Sequence, residues 1–138
     1  MRLDLMHLST IKPTLMKIVW KILQILLALF IIYAGVQHFI KPTFYEPFVP
    51  AFLPAKTMIV YASGIVEIVL GVLMLIPKYT KLGAGGIMWL MIIFLPIHIW
   101  DVISETPAIG SHTAAIIRLP FQFLFIALAY GIRRFAAK

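Results

Sequence analysis

Residues 114–131 read "AAIIRLPFQFLFIALAYG". Apart from Arg118, Pro120 and Gln122, the stretch suits hydrocarbon. At a rise of about 1.5 Å per residue, some 20 such residues cross an apolar core of about 30 Å as one helix. An arginine at bilayer depth costs about 2.5–3.5 kcal/mol on insertion scales. The stretch therefore poses two questions, whether it spans a membrane and what Arg118 does there.

The rest of the chain answers the first. Three more apolar runs, Ile18 to Phe39, Thr57 to Pro77 and Leu82 to Ser104, precede the run from Thr113 to Ile132 that contains the quoted residues. Each is continuous rather than alternating, which favours helices over barrel strands. The 138 residues are 62% hydrophobic and 12% charged, against roughly 25% charged in an ordinary soluble domain. Too little polar surface exists to wrap a soluble core. The short connections make successive helices antiparallel neighbours. The expectation is an all-α membrane protein, one domain over 1–138, built as an antiparallel four-transmembrane-helix bundle. The lysines before the first run and the small residues of "YAG" also fit a signal peptide, but that run is long and flows into a helix end.

Charge placement sets orientation. Arg2, Lys12, Lys17, Lys21, Lys78, Lys81, Arg133, Arg134 and Lys138 fall on one side, and only Lys41 and Lys56 on the other. Both termini are thus expected in the cytoplasm, with the chain multi-pass in a bacterial-type inner (plasma) membrane. The same asymmetry accounts for the net charge of +7 without nucleic acid, for which no basic stripe with interleaved aromatics exists. Cysteine is absent, which removes disulfides, thiolate metal sites and cysteine nucleophiles. On the opposite side lies "KPTFYEPFVPAFLPAK" (41–56). Its prolines forbid a long helix, and its aromatics are too apolar for a free loop. A short interfacial segment between the first two spans follows, either an aromatic anchor or a lid over a pocket.

Polar residues gather toward that side of the bundle. Gln37 and His38 end the first span, and Glu67 lies near the middle of the second between Gly64 and Gly71. His98 and Asp101 share a face of the third, while Arg118 and Gln122, four residues apart, share one of the fourth. Glu67 is too short to reach the interface and needs a partner or a proton. Arg118 is the natural one, alone or bridging Glu67 to Asp101. Pro96 and Pro120 each free a carbonyl one turn back, near Ile92 and Ile116. Three readings remain open: a buried ion-pair network that fixes helix register, a pocket for a polar-headed lipophile, and a partner-binding surface. His98 and Asp101 lack a third ligand for a metal, so none is expected.

The motifs "GVQHFIKP" with "VPAFLP", "SGIVEIVLG" and "IRLPFQ", in that order across residues 34–132, resemble the DoxX-like family of small four-helix membrane proteins. Relatives often carry asparagine where "LPIHIWD" has His98. The resemblance implies a possible link to quinones or to membrane oxidoreductase assemblies. On that basis the chain is expected to be a quinone- or lipid-interacting accessory subunit with oxidoreductase partner subunits, holding no intrinsic cofactor. The candidate ligand-binding residues are Gln37, His38, Glu67, His98, Asp101, Arg118 and Gln122. The alternative is a non-enzymatic assembly or binding protein whose Glu/Arg network is structural. A small transporter, a third possibility, would need a homo-oligomer. Nothing in the chain carries electrons unaided.

Overall fold

The computed structural model describes residues 2–136, with side chains from Ile11 onward. Lys138 and the side chains of Arg2 and His7 lie outside the described residues. Among the described residues the regular structure is entirely helical. Helix α1 covers Arg2–Ile40, α2 is a single turn at Pro42–Tyr45, and a 3-10 turn follows at Glu46–Phe48. Helix α3 covers Lys56–Leu75; after a 3-10 turn at Pro77–Tyr79, α4 covers Thr80–Ile103. Helix α5, His112–Gly131, closes with a π turn at Ile132–Ala136.

The four expected spans fall on α1, α3, α4 and α5. Four stretches are long and apolar enough to cross a membrane: Ile11–Ile40, Lys56–Leu75, Pro77–Ile103 and His112–Ala136. The chain is a small multi-pass membrane protein. Helix α1 extends beyond the apolar run expected to span, covering Arg2–Ile40 and including Pro13. Hydropathy marks where a helix leaves hydrocarbon, not where its backbone stops coiling. The Leu, Met and Lys residues of this segment are good helix formers in water as well.

Local signals explain the ends. Ser111 has extended backbone and its hydroxyl accepts the Ala114 amide at 3.1 Å, capping α5. Ile76 is extended ahead of Pro77, which disfavours helical geometry in its predecessor, and α3 stops there. Between α1 and α3 the expected interfacial segment is present as the two short turns over 42–48. The Thr57 hydroxyl at the start of α3 donates to the Glu46 carboxylate and fastens the segment to α3.

Helices pack in chain order: α1 on α3, α3 on α4, α4 on α5, with α5 returning to α1 most closely through its terminal π turn. Both termini therefore lie at one end of the bundle, called here the terminal end; the 41–55 connection marks the loop end. Leu27, Ala28, Ile31, Met74, Ala84, Ile87, Ala129 and Ile132 form the core. Gly35 and Gly64 let α1 and α3 touch backbone to backbone. A Cβ at Gly35 would stand 2.7 Å from the Gly64 carbonyl oxygen, and one at Gly64 2.8 Å from that of Gly35. Such contact supplies the dispersion energy that associates helices in lipid.

Buried Gln24 secures the turn between α3 and α4. Its amide nitrogen donates to the Met74 carbonyl at 2.6 Å and to Thr80 Oγ1 at 3.3 Å. The Thr80 hydroxyl itself lies 3.1 Å and 3.2 Å from the Met74 and Ile76 carbonyls. Carbonyls orphaned by the end of α3 are thus satisfied, that of Met74 in the buried interior.

Candidate functional site

The loop end holds a cavity of about 1040 Å³ between α1, α3, α4 and α5. Tyr45, Phe48, Val49, Pro50 and Leu53 of the connecting segment line it, so this segment covers the cavity's end. Of the residues expected at a site, His38, Glu67, His98, Arg118 and Gln122 line the cavity. Gln37 does not; it is half-buried on α1 beside His38. Asp101, 1% exposed, sits behind Arg118 rather than on the cavity wall.

The pairing differs from the expected Glu67–Arg118 contact. Glu67 Oε2 lies 3.3 Å from His38 Nδ1, and Arg118 Nη1 lies 4.0 Å from Asp101 Oδ2. Two pairs, one buried and one partly buried, stand where one bridge was expected. Sequence fixes the depth of Glu67 and Arg118 along their helices, but their partners depend on how each helix is rotated about its axis. Helix α3 presents Glu67 toward α1 because Gly64, three residues earlier on the same face, seats against Gly35 and His38.

Each pair also ties chain segments together. The Asp101 carboxylate accepts the backbone amide of Ala108, linking α4 to the connection before α5. Arg118 reaches from α5 across to the 41–55 connection, where its guanidinium lies 4.3 Å above the Phe48 ring. Such a contact contributes about 0.5–2 kcal/mol depending on desolvation. His38 stacks on Tyr45 with ring centroids 3.9 Å apart. Burial, followed by the nearby Glu67 carboxylate, pushes the Tyr45 phenol above its ordinary pKa, so it stays protonated.

Hydrogen bonds fix the tautomers. His38 Nδ1 lies 2.8 Å from the Ala34 carbonyl and His98 Nδ1 lies 2.9 Å from that of Phe94. A carbonyl only accepts, so each Nδ1 carries the proton and Nε2 is the acceptor of the neutral ring. The Gln122 amide donates to the Met91 carbonyl at 2.8 Å, joining α5 to α4 one residue from the expected Ile92. Glu67 Oε2, Asp101 Oδ2 and Arg118 Nη1 are buried without a hydrogen-bond partner among the described residues. Among those residues, no group of three His, Cys, Asp or Glu side chains could hold a metal ion.

Sequence reasoning overlooked the polar role of Tyr45, treated there as one aromatic among several, and the buried Gln24. An amide inside "KILQILLALF" (21–30) was the available signal for the latter.

No curated protein and no solved structure matches the chain. Residues 27–133, from within α1 to just past α5, match the model of a family described as a domain of unknown function (DUF8561), and the chain belongs to that family.

Proposed function

We propose that this chain is a non-enzymatic membrane protein of the assembly or binding type, in which the buried charges hold the loop end of the bundle in register. The observation that carries this reading is Asp101. Its carboxylate meets the Ala108 amide and faces Arg118, which in turn covers Phe48. One carboxylate and one guanidinium thereby join α4, α5, their connection and the 41–55 segment. The bilayer is a bacterial-type inner membrane with both termini in the cytoplasm, a reading supported by the basic asymmetry. Phe44 and Phe52, exposed on the connecting segment, offer contacts to lipid, a partner or a second copy of the chain.

A double-mutant cycle on unfolding in detergent tests the structural role. Arg118→Leu leaves Asp101 buried and uncompensated, at an expected cost of about 3–5 kcal/mol. Adding Asp101→Leu should recover a large part of that loss, whereas adding Glu67→Leu should not. If Asp101 and Arg118 prove strictly additive, the pair does not act as a unit and the reading fails.

One observation favours a second reading. The cavity beside the charged pairs suits a quinone- or lipid-interacting accessory subunit of a membrane oxidoreductase system, in keeping with the resemblance to DoxX-like proteins. Organic extraction of gently purified protein with mass spectrometry tests it. Stoichiometric quinone, lost in folded Arg118→Ala and Gln122→Ala variants, is the result it requires.

A further inference from the structure

The cavity joins an apolar wall to a polar end of unusual balance. Phe30, Ile31, Phe94, Ile97, Phe121 and Phe125 supply apolar wall from α1, α4 and α5. Its volume of about 1040 Å³ lies just above the range for small-molecule sites, about 300–1,000 Å³. In hydrocarbon, a space of this size with such walls suits a chain molecule already dissolved in the bilayer.

The polar end is rich in acceptors and poor in donors. His38 and His98 have each committed Nδ1–H to a backbone carbonyl, leaving Nε2 to accept. The Glu67 side chain is 6% exposed, and its Oε2 has no hydrogen-bond partner among the described residues. Ionised or protonated, that carboxyl keeps an oxygen able to accept. The Gln122 amide nitrogen is already occupied by Met91. Arg118 Nη1 supplies donor capacity, but Asp101 stands beside it.

This balance selects a head group. A carboxylate or phosphate head would meet the Glu67 carboxyl and two ring nitrogens that offer lone pairs. An ammonium head would meet the Arg118 guanidinium. A head bearing only carbonyls would pair with Arg118 and leave the two histidine Nε2 atoms without a donor. Uncharged hydroxyls donate to Nε2 and to the carboxyl, and accept from Arg118. A built site rejects the analogue that leaves its buried polar groups unpaired.

We propose that the loop-end cavity binds one membrane-dissolved amphiphile with an uncharged, hydroxyl-bearing head and an apolar tail, its hydroxyls donating to acceptors drawn from His38 Nε2, His98 Nε2 and Glu67. The proposal rests on the binding side of the reading above and narrows it by head-group chemistry.

The test compares heads, three of them on the same 18-carbon tail and the quinone on a shorter one. The protein is reconstituted in nanodiscs of saturated phosphatidylcholine and titrated with radiolabelled 1-oleoylglycerol, oleate, oleylamine and decylubiquinone. One saturable 1-oleoylglycerol per chain is expected, bound at least about tenfold more tightly than the other three, as one well-made extra hydrogen bond allows. His98→Phe should weaken 1-oleoylglycerol about tenfold without strengthening oleate, and Ala34→Phe, which narrows the cavity beside His38, should weaken binding as well. Equal or tighter binding of a charged probe or of the quinone overturns the proposal, as does the absence of saturable binding. If either variant fails to fold, the wild-type ranking of the four heads decides alone. The stability cycle on Asp101 and Arg118 needs no ligand. Coupling there with no binding here would overturn the ligand class while leaving the structural role intact.

Discussion

The two ends of the bundle are built from similar residues and pack differently. At the terminal end Gln24, Ala28, Met74, Ala84, Ile87, Ala129 and Ile132 are fully buried. At the loop end the same four helices surround a large cavity. The difference follows where small residues fall. Helix α4 carries "GAGG" at 83–86 and α5 carries Ala129 and Gly131, all toward the terminal end. Toward the loop end those helices instead carry Phe94, Ile97, Phe121 and Phe125. Without a hydrophobic force between helices in lipid, close approach depends on small residues. Where α4 and α5 present bulky side chains instead, those side chains line open space. Tight packing at one end and open space at the other therefore come from one rule applied to two compositions.

Breaking the packed end should produce the largest effect. A Cβ at Gly83 would collide with the backbone nitrogen of Met74 and stand 2.8 Å from the Leu70 carbonyl oxygen. Backbone atoms cannot swing aside as a side-chain tip can. Gly83→Leu is expected to cost more than about 4 kcal/mol, read as loss of the folded species in detergent unfolding. Ser63→Leu, on the cavity wall, should cost less than about 1 kcal/mol. Equal losses would show that the loop end is as tightly determined as the terminal end.

A smaller effect is expected at the polar clamp. Gln24→Leu removes the donor to Met74 and Thr80. The Met74 carbonyl keeps its contact with the Thr80 hydroxyl at 3.1 Å, so no carbonyl is left wholly bare. Gln24 Oε1, buried without a partner among the described residues, disappears in the same change and offsets part of the cost. A loss of about 1–2 kcal/mol is expected, with stability in the Thr80→Val background changing by less. A Gln24→Leu protein as stable as the parent would remove the clamp from the account of the α3–α4 turn.

Much of this contrast could be read in the sequence, but not all. The spans were legible because hydrocarbon tolerates few alternatives to a continuous apolar helix. Glu67 and Arg118 were legible because a charge at that depth is costly anywhere. The partner of Glu67 was not, since a one-dimensional pattern carries no helix rotation; His38 took the place assigned to Arg118, while Asp101 beside Arg118 matches the bridging alternative. Gln24 escaped notice because one amide among leucines and isoleucines barely lowers hydropathy. The cavity was hidden for a deeper reason. Volume left between helices depends on how far bulky side chains splay them, a property of pairs of facing surfaces rather than of any one run.

The smallest expected effect sharpens the comparison most. Ala34 lines the cavity from α1, and its carbonyl, not its methyl group, holds His38. Ala34→Leu adds three carbons to a wall that faces open volume. In a well-packed core, extra methylenes force side chains off their rotamers at about 1–3 kcal/mol. Here the added carbons meet space. The gain is also limited, because in a bilayer a leucine loses little by facing lipid, and only added dispersion contacts remain. The expected change lies between zero and about 1 kcal/mol of stabilisation, measured by the same detergent unfolding. A loss above about 1 kcal/mol would mean that the loop end closes on itself in the folded protein and that its walls are in contact. The contrast between the two ends would then collapse, and with it the case for a ligand site.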